Sequence, residues 1–182
     1  MLRTALFLIV ATLALPAAAQ TIRQLGPHIH GVSTLDIAVD GTAVDLELQS
    51  PGTDIVGFES AATTDAEKAA LAQATSILAN PLDVFALPAA AGCKVTDASQ
   101  QIQQTTLPAS RSDANATLLD RYAAEDPHSD VYVTYALTCA NPHAITAIDF
   151  HFFALFPNTQ VVNVQLLSVG EDEELNIPPP LP

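Results

Sequence analysis

The sequence predicts an α+β protein: an antiparallel, strand-dominated sheet with about one main helix packed on its apolar face. Three observations predict it. Residues 32–49 alternate apolar and polar side chains on both sides of Asp40-Gly41, the pattern of a β-hairpin. Residues 64–79 carry the clearest helical stripe, opened by a capping box. Two further alternating runs, at 131–139 and 161–169, supply more strands.

The elements follow in order along the 182-residue chain. Arg3, the apolar run Ala5 to Leu15 and the small residues Pro16-Ala17-Ala18-Ala19-Gln20 have the layout of a secretory signal peptide. The run is shorter than the roughly 20 residues a membrane helix needs. A soluble periplasmic product, cleaved after Ala19 and without membrane insertion, is therefore expected. In the hairpin Leu35, Ile37 and Val39 share one face with Val44, Leu46 and Leu48, and Asp36, Asp45 and Glu47 lie on the wet face. Pro51-Gly52 stops the second strand, and Gly57 marks another tight position. Thr64 and Glu67 are spaced to cap each other's backbone N–H groups. Ala70, Leu71, Ala74, Ile77 and Leu78 then form one stripe, ended by Asn80-Pro81.

The stretch "DASQQIQQTTLPASRSDANAT" is polar, and predicts a strand end near Ile102 followed by a mobile linker. In "HSDVYVTYALTCANP", Val131, Val133, Tyr135, Leu137 and Cys139 share a face. "AITAIDFHFFALFP" fits a helix or a strand, and its aromatic content favours a strand that ends at Phe156-Pro157. The tail "EDEELNIPPPLP" reads as extended and mobile. The expected organisation is a signal peptide at 1–19, an N-terminal half at 20–98, a polar linker at 99–127, a C-terminal half at 128–170 and an acidic, proline-rich tail at 171–182. A loose similarity between the halves suggests two small lobes.

Net charge is −14, and the leader removes only the basic Arg3, so the exported chain is more acidic still. That excludes nucleic acid and anionic lipid as partners and is compatible with cations. Cys93 and Cys139 are the only cysteines. In an oxidising compartment an even pair forms a disulfide, whereas a thiol metal site or redox pair lacks its usual CxxC spacing.

"GPHIHG" places His28 and His30 one residue apart. In an extended segment both project to one side. Such a pair can hold one ion but supplies only two of the four donors zinc requires. His128, flanked by Asp126 and Asp130, is the natural further candidate, and His151 with Asp149 is another. The alternative is a set of exposed loop histidines. Met1 is the only methionine, so a thioether copper site is excluded after cleavage. Histidine and carboxylate donors suit zinc, with Cu(II) as the alternative. The chain contains no G-x-S-x-G, H-E-x-x-H, P-loop or dinucleotide fingerprint. Ser33 lies near His30 and Asp36, but neighbours on one strand do not make a triad. No enzymatic activity is expected.

Several motifs occur together in one order: "HIHG" before a "DG" hairpin, "SPGTDIVGFE", "FALPAAAGC", "VTYALTCANP" and "FFALFPNTQVVNVQLL". In this they resemble the DUF2796 family of ZrgA-like periplasmic zinc-binding proteins over roughly residues 26 to 170. The resemblance implies an accessory protein for zinc acquisition or homeostasis, acting alongside a zinc ABC importer or its binding protein. It implies zinc as the ligand and His28, His30 and His128 as the matching histidines. Two departures stand out. The family's histidine-rich middle stretch is absent from Ser99 to Thr117, and Ser60 stands where the family tends to carry histidine after Gly57-Phe58-Glu59. The second function compatible with these residues is a metal-free protein–protein interaction module of the bacterial envelope.

Overall fold

A computed structural model describes residues 28–105, 128–168 and 171–178. The expected signal peptide and most of the expected linker, Asp126 included, lie outside them. Among the described residues the main feature is a six-stranded sheet. Its strands are β1 (Val32–Asp40), β2 (Ala43–Pro51), β4 (Cys93–Thr105), β5 (His128–Cys139), β7 (Val161–Ser168) and β8 (Glu171–Ile177), in the order β4-β5-β2-β1-β7-β8. β1 and β7 run parallel, and every other neighbouring pair is antiparallel. The fold is α+β, as the patterning predicts.

The alternation of the sequence is the alternation of the sheet. Leu35 pairs with Leu48, and Ile37 with Leu46. Leu46 and Leu48 pair in turn with Tyr135 and Val133. All six are buried on one face, joined by Val162 and Val164 from β7. Burial of each such side chain contributes about 1.5–3 kcal/mol. A one-residue slip would turn the whole set to solvent, so the register is strongly specified. The opposite face carries Asp36 against Glu47 and Ala38 against Asp45, the wet acidic surface of the hairpin.

Helix α2 (Asp65–Leu78) begins at the capping box. The Glu67 N–H donates to Thr64 Oγ1 at 3.2 Å, and the Thr64 N–H donates to Glu67 Oε2 at 2.8 Å. The Thr64 and Thr63 N–H groups hold the Glu67 carboxyl down at about 2. Ala74 and Leu78 enter the core, with Ile77 packed against it. Tyr135 Oη donates to Leu78 O at 2.8 Å, which ties the last turn of α2 to the centre of the sheet. Burial pushes the Tyr135 hydroxyl above its ordinary value, so it remains a donor.

Three expectations are corrected. β4 continues to Thr105, past both Ile102 and the polar boundary at Ser99, because its backbone pairs with β5 as far as His128. A polar edge strand needs ladder partners and little apolar alternation. The tail, expected to be extended and mobile, is extended over Glu171–Ile177 but paired there, as β8 on the outer edge of β7. The segment 144–156 is not a strand to Phe156. It contains β6 (Asp149–Phe150), which pairs with β3 (Phe85–Ala86), and then a helical turn, Phe152–Leu155. Phe152, Phe153 and Phe156 are all buried. A helical turn can carry positions i, i+1 and i+4 inward, whereas a strand would send Phe152 and Phe153 to opposite faces. The halves also interleave within one sheet, with β2 lying between β1 and β5.

Cys93 and Cys139 form the disulfide, as directly opposed partners at the start of β4 and the end of β5. Removing a link across a sequence separation of 46 residues costs roughly 4 kcal/mol in the chain-entropy model. A Cys93→Ala/Cys139→Ala variant should show that loss as a lower urea midpoint with an otherwise native circular dichroism spectrum. An unchanged midpoint would contradict the assigned role.

Candidate metal centre

Three chain segments meet at one end of the sheet. β2 is antiparallel to both of its neighbours, so its end at Pro51 lies beside the start of β1 and the start of β5. Residues 28–31 lead into β1, His128 opens β5, and the segment after Pro51 runs through helix α1 (Gly52–Ile55) to Glu59. Histidines 100 positions apart are brought together by strand order alone.

The segment after β2 is built to bring these pieces close. Ser50 Oγ and Ser33 Oγ share a buried hydrogen bond of 2.8 Å, which joins β1 to β2 below the site. A Cβ at Gly52 would lie 1.9 Å from Ser129 Oγ and 2.9 Å from Phe58 O, so only glycine lets β5 and the Glu59 loop approach. Gly57 has φ +86°, the left-handed turn that reverses the chain toward Glu59. The Gly31 N–H donates to Asp54 Oδ1 at 2.9 Å and anchors the histidine-bearing arm to α1. Burial pushes the Asp54 carboxyl above its ordinary value, against the lowering effect of that N–H.

At the meeting point stands Glu59, with a side chain only 9 % exposed. His28 Nε2 lies 2.9 Å from Glu59 Oε1, and His128 Nδ1 donates to Glu59 Oε2 at 2.9 Å. His30 Nε2 lies 2.9 Å from Glu59 Oε1. His28 Nδ1 donates to Asp130 Oδ1 at 3.0 Å. Burial alone would raise the Glu59 carboxyl, but the His128 hydrogen bond and the nearby His28 and His30 outweigh it and hold the group below its ordinary value. With Nδ1 turned to Asp130, Nε2 is the His28 nitrogen aimed at Glu59 and open to a metal.

The donor set fits zinc. His28, His30, Glu59 and His128 each offer one donor atom, and these atoms all lie within 4.8 Å of one another. A zinc tetrahedron with bonds of about 2.0–2.2 Å places its donors roughly 3.4 Å apart, a small contraction from this arrangement. Asp130, anticipated as a ligand beside His128, instead braces the far nitrogen of His28. A carboxylate in that position fixes ring orientation and raises ligand basicity.

The other anticipated residues lie elsewhere. Asp149 sits in β6, and His151 Nδ1 donates to Asp83 O at 3.1 Å. Neither belongs to the cluster. Asp126 lies outside the described residues. Glu59 was not singled out by spacing, because a lone acidic residue in a loop carries no local signature. The signal for it was its place in "VGFE", directly before Ser60.

Residues 27–179 match the model of a family described as "ZrgA family zinc uptake protein". The curated proteins contain no match.

Asp130→Asn keeps the size of the side chain and removes the charge that braces His28. Zinc affinity should fall about 10–100-fold, read by competition titration, with thermal unfolding of the metal-free protein shifted little. Unchanged affinity would remove Asp130 from the site.

Proposed function

We infer function from one premise: this chain belongs to the ZrgA family of zinc uptake proteins. The protein binds a zinc ion in the periplasm and assists zinc acquisition as an accessory to a zinc ABC importer or its binding protein. The observation that carries this reading is the convergence of His28, His30, Glu59 and His128, drawn from three separate segments, within one coordination sphere. Export through the leader at 1–19 supports an oxidising location, and the Cys93–Cys139 bond accords with it.

Binding is favoured over catalysis by the donor count. Four protein donors complete zinc's usual tetrahedron and leave no position for a reactive water. With the histidine-rich stretch lacking, one ion per chain is the capacity this reading assigns.

The second reading is a metal-free interaction module of the envelope. It is favoured by the acidic outer face of the hairpin, where Asp36, Asp45 and Glu47 share one side of the sheet. Calorimetric titration with zinc separates the two. The zinc reading requires one saturable site with a Kd below about 100 µM, lost in Glu59→Ala and in the His28→Ala/His30→Ala double variant. Binding that persists in both variants, or none in the parent chain, would sink it.

The pH dependence has a definite sign. An imidazole must be neutral to bind, and an ordinary one titrates near about 6.5. Affinity should therefore fall on acidification, as protons compete with the ion for the ring nitrogens. Glu59, held below its ordinary range, keeps its charge across this window. The loss on acidification then belongs to the histidines, and zinc titrations repeated from pH 8 down to pH 5 would measure it. Flat affinity over that span would exclude histidine ligation.

A further inference from the structure

This inference rests on the zinc reading above and concerns how the ion leaves. The donors are not equally held. The His28 side chain is 10 % exposed and braced by Asp130, and Glu59 is touched by all three histidines. The His30 side chain is 58 % exposed, against 38 % for His128. His30 rests on the His28 ring at a centroid distance of 5.3 Å and aims Nε2 at Glu59. Next to it, Ile29 is 69 % exposed.

His30 also lines an open cavity of about 420 Å³, together with Gly31, Thr53, Asp54, Asn158 and Gln160. A Cβ at Gly31 would lie 2.9 Å from Gln160 Nε2, so the glycine leaves room for that amide against the arm. Asn158 Nδ2 is committed to Thr53 O at 2.9 Å. The cavity wall thus combines amides and a hydroxyl with Pro157 and the largely buried Asp54 carboxylate. Glu59 and Asp130 stand nearby, and the whole chain carries a charge of −14. A second anion entering here is repelled, whereas a neutral nitrogen donor meets no such penalty.

We propose that His30 is the ligand at which zinc is exchanged, and that the cavity beside it receives the incoming donor, a neutral imidazole. The lone pair of the entering imidazole forms a bond to zinc as the bond from His30 Nε2 breaks. One neutral nitrogen replaces another, so no proton, electron or net charge is transferred. His28, Glu59 and His128 hold the ion until the exchange is complete. The donor is either free imidazole or a histidine side chain of an acceptor protein, and both meet the same chemistry in the cavity.

The test is zinc transfer from the loaded protein to a chromogenic chelator, followed by absorbance. The transfer rate should rise in proportion to added imidazole and stay flat with equal acetate. A glycyl-histidyl-glycine peptide that accelerates transfer where free imidazole does not would assign the donor to a protein and still support the exchange. His30→Ala should bind zinc more weakly and regain affinity with imidazole, since the exposed position admits it. His28→Ala should not be rescued, because its position is enclosed. Saturable zinc binding with a release rate indifferent to both imidazole and the peptide, and no rescue of His30→Ala, would overturn this proposal alone. Absence of zinc binding in the parent chain would overturn it together with the reading it rests on.

Discussion

A carboxylate that is almost wholly withdrawn from water has to be matched by donors, or its desolvation goes uncompensated. Glu59 is in that position, and the donors it finds come from the arm before β1 and the first residue of β5. Neither segment touches it through sequence proximity. Both must be delivered to the same end of the sheet, and the antiparallel setting of β2 between β1 and β5 does this. The arrangement of this end of the molecule can therefore be read as the set of conditions that let one loop carboxylate be buried. The same conditions prepare a metal site, since a cluster of imidazoles facing a carboxylate offers zinc its preferred donors once hydrogens are displaced.

The stretch from Ser50 to Glu59 shows how many separate demands one short segment meets. Ser50 closes a buried hydroxyl pair, Gly52 makes space for Ser129 and the Phe58 carbonyl, Asp54 holds the arm, Gly57 turns the chain, and Glu59 receives the histidines. All of these roles but the Gly57 turn include a contact with a residue distant in sequence. A run such as "SPGTDIVGFE" is thus costly to alter at almost any position, although only its last residue faces the proposed ion.

Much of this was legible beforehand, where the physics is local. Alternation gave away the hairpin and β5, the Thr64–Glu67 spacing gave the capped helix, and two cysteines in an exported chain gave the disulfide. The H-x-H pair and His128 were visible as donors by residue type. What stayed hidden depends on distant partners. Nothing near Glu59 says that three histidines will surround it. Asp130 stands two residues after His128, yet it braces His28, which the β5 alternation could have suggested and no spacing rule would. β8 opens with four acidic residues in a row, so the apolar alternation that marks the other strands is missing at its start, and its strand character comes from the ladder offered by β7. The Phe152–Leu155 turn was misread because aromatic content favours strands on average, while these particular rings needed three inward positions within five residues.

The pairing of β4 with β5 has a bearing on chain length. Their ladder starts at the disulfide and closes at Thr105 opposite His128, so the intervening segment leaves and re-enters the sheet at neighbouring points, one of them a member of the donor cluster. Once both ends of a loop are pinned by a ladder, doubling its length costs only about 0.6 kcal/mol of closure entropy. The fold is therefore nearly indifferent to how much sequence is spliced in there. A histidine-rich insertion, of the kind the resemblance associates with this family, would begin next to the site itself. Histidines could be added or lost at that splice without disturbing the donor cluster, and this chain, with no histidine from Ser99 to Thr117, stands at the lean end of that range.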